Sequence, residues 1–153
     1  MQKILRYLIM FFFVLLVVFP VYAEDKKGSG EETKTSSDAE RKKIEEQWGI
    51  QVKGIRLTAA DYMLDFRYCV TDSEKASSIL NRQEKATLIH QENGTVMHVP
   101  TTRLGAMRQT SVRPAEGRDY LIFFANRNGL VKTGDKVTVM IGDFKIENLI
   151  VEE

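Results

Sequence analysis

Two histidines and two methionines near the middle of the chain combine imidazole nitrogens with thioether sulfurs: His90, Met97, His98 and Met107. Soft sulfur donors with imidazole suit copper(I). Alternation along a strand places Met97 and His98 on opposite faces, so both join one site only if the strand is irregular. The alternative is a surface histidine pair with core methionines. The sequence therefore predicts no cofactor and leaves a small periplasmic copper carrier as the alternative function.

Four arginines lie five residues apart in and just after a long polar stretch, residues 101–117: Arg103, Arg108, Arg113 and Arg118. Arginine forks bind carboxylates and phosphates bidentately. Loops longer than about 12–15 residues without structure of their own are typically binding loops or disordered. A spacing of five matches neither helix nor strand, so no single face collects all four, and a plain solvated loop is the alternative. These arginines are the predicted binding residues.

The remaining reactive residue types do not form a catalytic motif. Cys69 is the only cysteine, so no internal disulfide forms. We interpret it as a packed small residue, with a free thiol or a disulfide to a partner as alternatives. Asp65 and Arg67 share one face of a strand and indicate an ordinary surface ion pair. Because no phosphate loop, zinc signature or serine elbow is present, the sequence predicts that the protein is not an enzyme.

Residues 61–71 (DYMLDFRYCVT) predict the central strand that must position these side chains. Five apolar residues recur there at a period of two: Tyr62, Leu64, Phe66, Tyr68 and Val70. A strand collects them on one face, whereas a helix would scatter them around its circumference. One face of the strand must therefore be covered by a second layer.

About seven short strands are predicted in all, with turn signals every 8–12 residues. Gly54 indicates a bulge in the strand before the central one, and Asn93-Gly94 is a strong hairpin signal. Asp72 is a suitable N-cap for a short helix over residues 73–80. This pattern predicts a mostly β fold, an antiparallel immunoglobulin-like β-sandwich with one or two short helices.

Residues 1–23 have the features of a secretory signal peptide. Lys3 and Arg6 precede an unbroken apolar run over residues 8–19, Pro20 follows it, and Ala23 fits a cleavage site. The run is shorter than the roughly 20 residues of a membrane-spanning helix. We expect cleavage and export to the periplasm or beyond. An uncleaved anchor formed by residues 7–23 is the alternative, and it is the only membrane contact that we expect.

The rest of the chain divides into a spacer and one domain. Residues 24–43 contain no large apolar side chain and mix both charges with Gly, Ser and Thr, which predicts a flexible spacer. Ser37 or Asp38 could begin a short helix at its end. Residues 44–153 then form the predicted β-sandwich domain. Without residues 1–23 the chain carries 20 Lys and Arg against 21 Asp and Glu, which argues against nucleic-acid binding.

Two runs in the domain resemble a group of small exported bacterial proteins of uncharacterised function. They are WGIQVKGIRLTAADYMLDFRYCVTDSEKA, residues 48–76, and VKTGDKVTVMIGDFKIENLIV, residues 131–151. The resemblance implies export and a single domain, and it implies no catalytic or binding residue. We therefore predict a binding or accessory module of the cell envelope, whose partner is a protein or an anionic envelope component. The sequence does not indicate an oligomeric state.

Overall fold

The alternating residues in the middle of the chain form the predicted strand. In the computed structural model, which describes residues 31–153, strand β1 covers Ile50–Thr58 and strand β2 covers Met63–Val70. The inward side chains of β2 are completely buried: Leu64, Phe66, Tyr68 and Val70. Tyr62 precedes the strand and is 68% exposed, so it does not join that face. The predicted core face is confirmed from Leu64 onward.

The other elements follow in chain order. Helix α1 covers Glu31–Trp48 and helix α2 covers Ser73–Ala76; the strands are β3 Ala86–His90, β4 Val96–His98, β5 Thr101–Thr102, β6 Gly105–Ala106, β7 Asp119–Ala125, β8 Lys136–Ile141 and β9 Phe144–Glu152; a 3-10 turn covers Arg127–Gly129. Asp72 caps α2 as predicted, because its carboxylate accepts from the N–H groups of Glu74 and Lys75. The predicted β3–β4 hairpin and the bulge at Gly54 are also present.

Seven strands form one mixed sheet in the order β4-β3-β8-β9-β1-β2-β7. Strands β1 and β9 are parallel, with Ile55 opposite Val151, and every other neighbouring pair is antiparallel. The mostly β fold is therefore confirmed, but the antiparallel immunoglobulin-like sandwich is not. The physical reason is that β1 accepts β2 on one edge and β9 on the other, which merges two groups of strands into a single sheet.

The sheet curves until its two end strands approach each other. Strands β4 and β7 come into contact, with a cleft of about 350 Å³ beside them. Residues 107–109, here called the strap, help to close the gap. The N–H of Met107 donates to the carbonyl of Pro100 over 2.8 Å, while the N–H of Phe123 in β7 donates to the carbonyl of Met107 over 3.0 Å. The strap thus covers part of an otherwise open strand edge, which limits pairing with other chains.

Helix α1 replaces much of the predicted spacer. Residues 31–43 are helical, whereas the sequence predicts a flexible segment up to residue 43. Residues 31–43 contain neither Gly nor Pro, so nothing in this stretch breaks a helix. They also contain few apolar residues, so the helical period of apolar side chains that predicts a helix is absent there. Ile44 is buried and the Trp48 ring packs edge-on against Phe144 at 5.6 Å, which ties the helix end to the sheet.

The predicted signal peptide and the first part of the spacer, residues 1–30, lie outside the described residues. Within residues 31–153, no helix combines the length and the apolar character needed to cross a membrane. Residues Lys34–Glu153 form one compact unit.

The turn between β1 and β2 is conformationally strained. Ala59, Ala60 and Asp61 have φ angles of 54°, 52° and 67°, in the left-handed region that disfavours side chains with a Cβ. The buried side chain of Asn126 holds this turn, because its amide donates to the carbonyl of Asp61 at 2.8 Å and to that of Val131 at 2.9 Å. The oxygen of Asn126 accepts from the N–H of Val131. One buried amide therefore connects the turn to the chain that leads into β8.

We predict that Ala60→Gly stabilises the protein by about 0.5–1 kcal/mol, since a left-handed residue with a Cβ costs about 1–2 kcal/mol and the added backbone entropy of glycine cancels part of the gain. Ala60 is exposed, so no packing is lost. Urea unfolding measures the change. Ala115→Gly, at a position without a positive φ, is the matched control and should bring no gain. A lower unfolding midpoint for Ala60→Gly would contradict the described turn.

Candidate functional site

The structure does not gather the predicted histidine and methionine ligands. His90 and Met97 are buried in β3 and β4, whereas His98 is exposed on the opposite face of β4. Met107 lies in the strap beside β7. The strand is regular at Met97 and His98, as the pairing of Leu88 with Met97 and of Thr87 with His98 shows. The structure therefore does not bring the four residues together, because strand alternation places His98 on the face opposite to Met97.

His90 instead lies among two carboxylates that the sequence analysis did not select. Its Nε2 is 3.3 Å from Oδ2 of Asp135 and 3.9 Å from Oε2 of Glu92. One ligand atom from each of the three residues lies within 4.8 Å of the others. His90 is only 2% exposed, and neither of its ring nitrogens has a hydrogen-bond partner among the described residues. This cluster is the main candidate metal centre.

Backbone hydrogen bonds fix two of the three residues. His90 ends β3, and its N–H donates to the carbonyl of Thr95 at 2.9 Å across the hairpin. Asp135 precedes β8, where its Oδ2 accepts from the N–H of Lys132 at 2.8 Å and its carbonyl accepts from the N–H of Val151 at 3.0 Å. Glu92 belongs to the hairpin turn and its side chain is 83% exposed. The cluster therefore combines two fixed groups with one that can rotate.

Arg108 has a structural role that its spacing did not indicate. Its Nη1 donates to the carbonyl of Glu84 at 2.6 Å and its Nη2 donates to the carbonyl of Ile79 at 2.7 Å. These bonds join the strap to the segment that follows α2. The guanidinium is partly buried, and burial lowers its pKa below the ordinary value. Arg108 thus binds two backbone carbonyls within the protein.

The other three predicted arginines do not form one group. Arg118 lies over the ring of Tyr120, 5.3 Å from its centre, in a cation–π contact. Arg103 and Arg113 are exposed. The structure therefore does not bring the four arginines together, and Arg103 and Arg113 form no salt bridge among the described residues.

Exposed apolar side chains accompany these two arginines. Leu104 and Val112 are fully exposed, at 99% and 101%. The guanidinium of Arg82 lies near Gly105, the residue after Leu104, because a Cβ at Gly105 would be 3.9 Å from its Nη2. Arg82 and Val112 also line one open cleft of about 860 Å³. We call the following set the loop surface: Arg82, Arg103, Leu104, Val112 and Arg113. Sequence reasoning missed Arg82 because it lies outside the loop.

The sequence predicts an ordinary surface ion pair for Asp65, and this prediction is wrong because the carboxylate is buried. Its side chain is 1% exposed and its Oδ2 accepts from Nε of Arg67 at 2.8 Å and from Nη2 of Arg56 at 3.3 Å. Arg56 comes from the neighbouring strand β1, directly opposite Asp65. The carboxylate is therefore a buried bridge between two strands, and removing one of its partners costs more than at the surface.

Cys69 is half-buried on the outer face of β2, opposite Asp119 of β7. Burial, and then a hydrogen bond with Asp119, raise the pKa of its thiol above the ordinary value. The thiolate is the nucleophilic form, so Cys69 is a weak nucleophile at neutral pH. The interpretation of Cys69 as a packed residue is confirmed only in part, because some of the side chain remains accessible.

We predict that Arg108→Ala destabilises the protein by about 2–3 kcal/mol, because it removes two hydrogen bonds from a charged donor and leaves two carbonyls without partners. Arg103→Ala, from the same loop but exposed, should change stability by less than about 0.5 kcal/mol. Urea unfolding of both variants and the parent tests this. Equal midpoints for the two variants would contradict the structural role of Arg108.

We predict that the thiol of Cys69 reacts with a disulfide reagent slowly at neutral pH and faster as the pH rises, with a midpoint above that of a free cysteine. Because the folded pKa is raised, less thiolate is present at any pH below it. Asp119→Asn removes the negative neighbour and should move the midpoint down. A midpoint that is the same in both proteins would exclude this role of Asp119.

Comparisons with protein-family models, with curated proteins and with solved structures gave no match for this chain. The resemblance to small exported bacterial proteins consequently stays a prediction. What the protein does must be inferred from the geometry of the loop surface and of the His90 cluster.

Proposed function

We propose that the chain is an exported, non-catalytic binding module of the cell envelope that docks an acidic segment of a partner protein on the loop surface. The observation that carries this proposal is the complete exposure of Leu104 and Val112, each of which adjoins an exposed arginine in the chain, Arg103 and Arg113. Large apolar groups held in water without cover are typical of interaction sites when they cluster. Arginine is also among the residues that contribute most to protein interfaces.

The loop that carries these side chains is held in place. The strap pairs with β7, Arg108 donates to two carbonyls near α2, and the N–H of Ser111 donates to the carbonyl of Leu80 at 3.1 Å. A side-chain bond from Ser111 to the carbonyl of Arg113 tightens the following turn. A surface fixed in this way loses little conformational entropy when a partner binds, which supports a docking role.

The charges of the loop surface favour an acidic partner. Arg82, Arg103 and Arg113 carry three positive charges and form no salt bridge among the described residues. Glu116, the nearby acid of the loop, is engaged by the N–H of Ser73. The open cleft beside Arg82 and Val112 suits a segment of a partner chain, whereas a flat membrane surface would not enter it. We therefore favour a protein partner over lipid head groups.

Export rests on the sequence of residues 1–23 and belongs to the same proposal. A basic start, an apolar run and a small residue at the cleavage site direct a chain to the secretory pathway. The single cysteine is compatible with an oxidising compartment, because no second thiol in the chain can pair with it. The mass of the mature N-terminus in cell extracts tests this part separately from partner binding.

We predict that a photo-crosslinking residue at position 104 or 112 of the full-length chain in intact cells captures one acidic protein. The same probe at Ile150, which is 56% exposed on β9, is the matched control and should not capture it. Replacing Arg82, Arg103 and Arg113 together by Ser should reduce capture at least about tenfold, since charge-assisted hydrogen bonds contribute about 1.5–3 kcal/mol.

Arg108 is kept in these variants because its loss would disturb the strap. Crosslinks to lipid from positions 104 and 112 would contradict a protein partner and indicate that the loop surface binds a membrane. Equal capture from all three probe positions would show that the loop surface is not the docking site. Capture that the three Ser substitutions leave unchanged would show the same.

A further inference from the structure

The buried imidazole at the end of β3 faces two carboxylates and lacks ordinary hydrogen bonds. We propose that His90, Glu92 and Asp135 form a binding site for a divalent transition-metal ion of the Zn²⁺ type, independent of the loop surface. Buried polar side-chain atoms nearly always have a partner, so the two unpaired ring nitrogens of His90 require an explanation. A metal ion bound at Nε2, the nitrogen that faces the two carboxylates, supplies the partner that this nitrogen lacks among the described residues.

The distances suit a small tetrahedral ion. Zn²⁺ lies about 2.0–2.1 Å from nitrogen and oxygen ligands, which places the ligand atoms about 3.3 Å from one another. Nε2 of His90 and Oδ2 of Asp135 are 3.3 Å apart. Oε2 of Glu92 is 3.9 Å from Nε2, and this exposed side chain can close the difference by rotation. With the three ligand atoms within 4.8 Å of one another, these residues can supply three corners of a coordination tetrahedron.

The supporting contacts also fit a metal ligand. The N–H of Lys132 donates to Oδ2 of Asp135, and such second contacts orient a ligating carboxylate. Pairing of Val151 with Gly134 and Asp135 holds this turn against β9. Glu92 belongs to a hairpin turn that is fixed by a bond from Gly94 N–H to the carbonyl of His90 at 2.8 Å.

The donor set decides between metals. One imidazole with two carboxylates provides nitrogen and oxygen ligands and no sulfur, which suits Zn²⁺ and not copper(I). The two carboxylate charges balance the charge of a divalent ion. Three protein ligands leave a fourth position for water or for a group on a partner. The copper carrier predicted from His90, Met97, His98 and Met107 is therefore replaced by a different site that shares only His90.

The site would also link two distant parts of the chain. Glu92 lies between β3 and β4, whereas Asp135 precedes β8. An ion shared by both turns would hold them together in the folded state only. Binding to the folded state raises the melting temperature in proportion to the logarithm of the ion concentration.

The test uses the full-length protein, purified in mild detergent and freed of metal by a chelator. Titration with Zn²⁺ alone should show one ion bound per chain and a rise in melting temperature. Glu92→Gln changes an exposed turn residue and should leave the fold intact while weakening Zn²⁺ binding at least tenfold. Asp135→Asn should weaken it further. His98→Gln, on the exposed face of β4, and Asp143→Asn, an exposed acid between β8 and β9, are matched controls and should bind as the parent does.

Cobalt substitution gives a second readout. Co²⁺ in this site should show absorption of a nitrogen and oxygen environment without the sulfur charge-transfer band. Absence of Zn²⁺ binding to the parent protein would overturn the proposal, and the same loss in His98→Gln as in Glu92→Gln would overturn the ligand assignment. If Asp135→Asn does not fold, Glu92→Gln alone decides, because its side chain contacts the protein least.

Discussion

The parallel pairing of β1 with β9 is the contact on which the rest of the structure depends. It joins the first strand of the sheet to the last, with Ile55 opposite Val151. Bringing such distant segments together costs loop-closure entropy before any contact is gained, so the pair must bury enough apolar surface to offset that cost. Ile55 and Val151 are each only 1% exposed. Without this pair, the strands would fall into two separate sheets.

Both candidate sites depend on how the sheet is assembled, but in different ways. Val151 of β9 pairs with Ile55 of β1 on one side and bonds to the turn at Gly134 and Asp135 on the other. This pairing therefore helps to place Asp135 beside His90. The loop surface depends on the opposite end of the strand order, where the strap lies against β7. The curvature that brings β4 towards β7 also shortens the gap that this strap must cover.

Arginines illustrate how far spacing alone can identify a binding residue. Arg108 and Arg113 look equivalent in the sequence, yet Arg108 donates to two backbone carbonyls and Arg113 is exposed. A guanidinium binds whichever acceptors the fold places near it, and carbonyls left free after a short helix are as suitable as a partner's carboxylate. The same argument separates His98, which alternation turns outward, from His90, which meets acids from two turns.

The sequence by itself determined the features that depend on neighbouring residues. Alternation in β2, the bulge at Gly54, the cap at Asp72 and the hairpin at Asn93-Gly94 are confirmed because each follows from a period, a φ angle or a bond between residues a few positions apart. Only the tertiary structure decided the parallel pair, the anchoring of Arg108 and the meeting of His90 with Asp135. These contacts join residues far apart in the chain, and no local period or turn preference specifies which distant segments become neighbours.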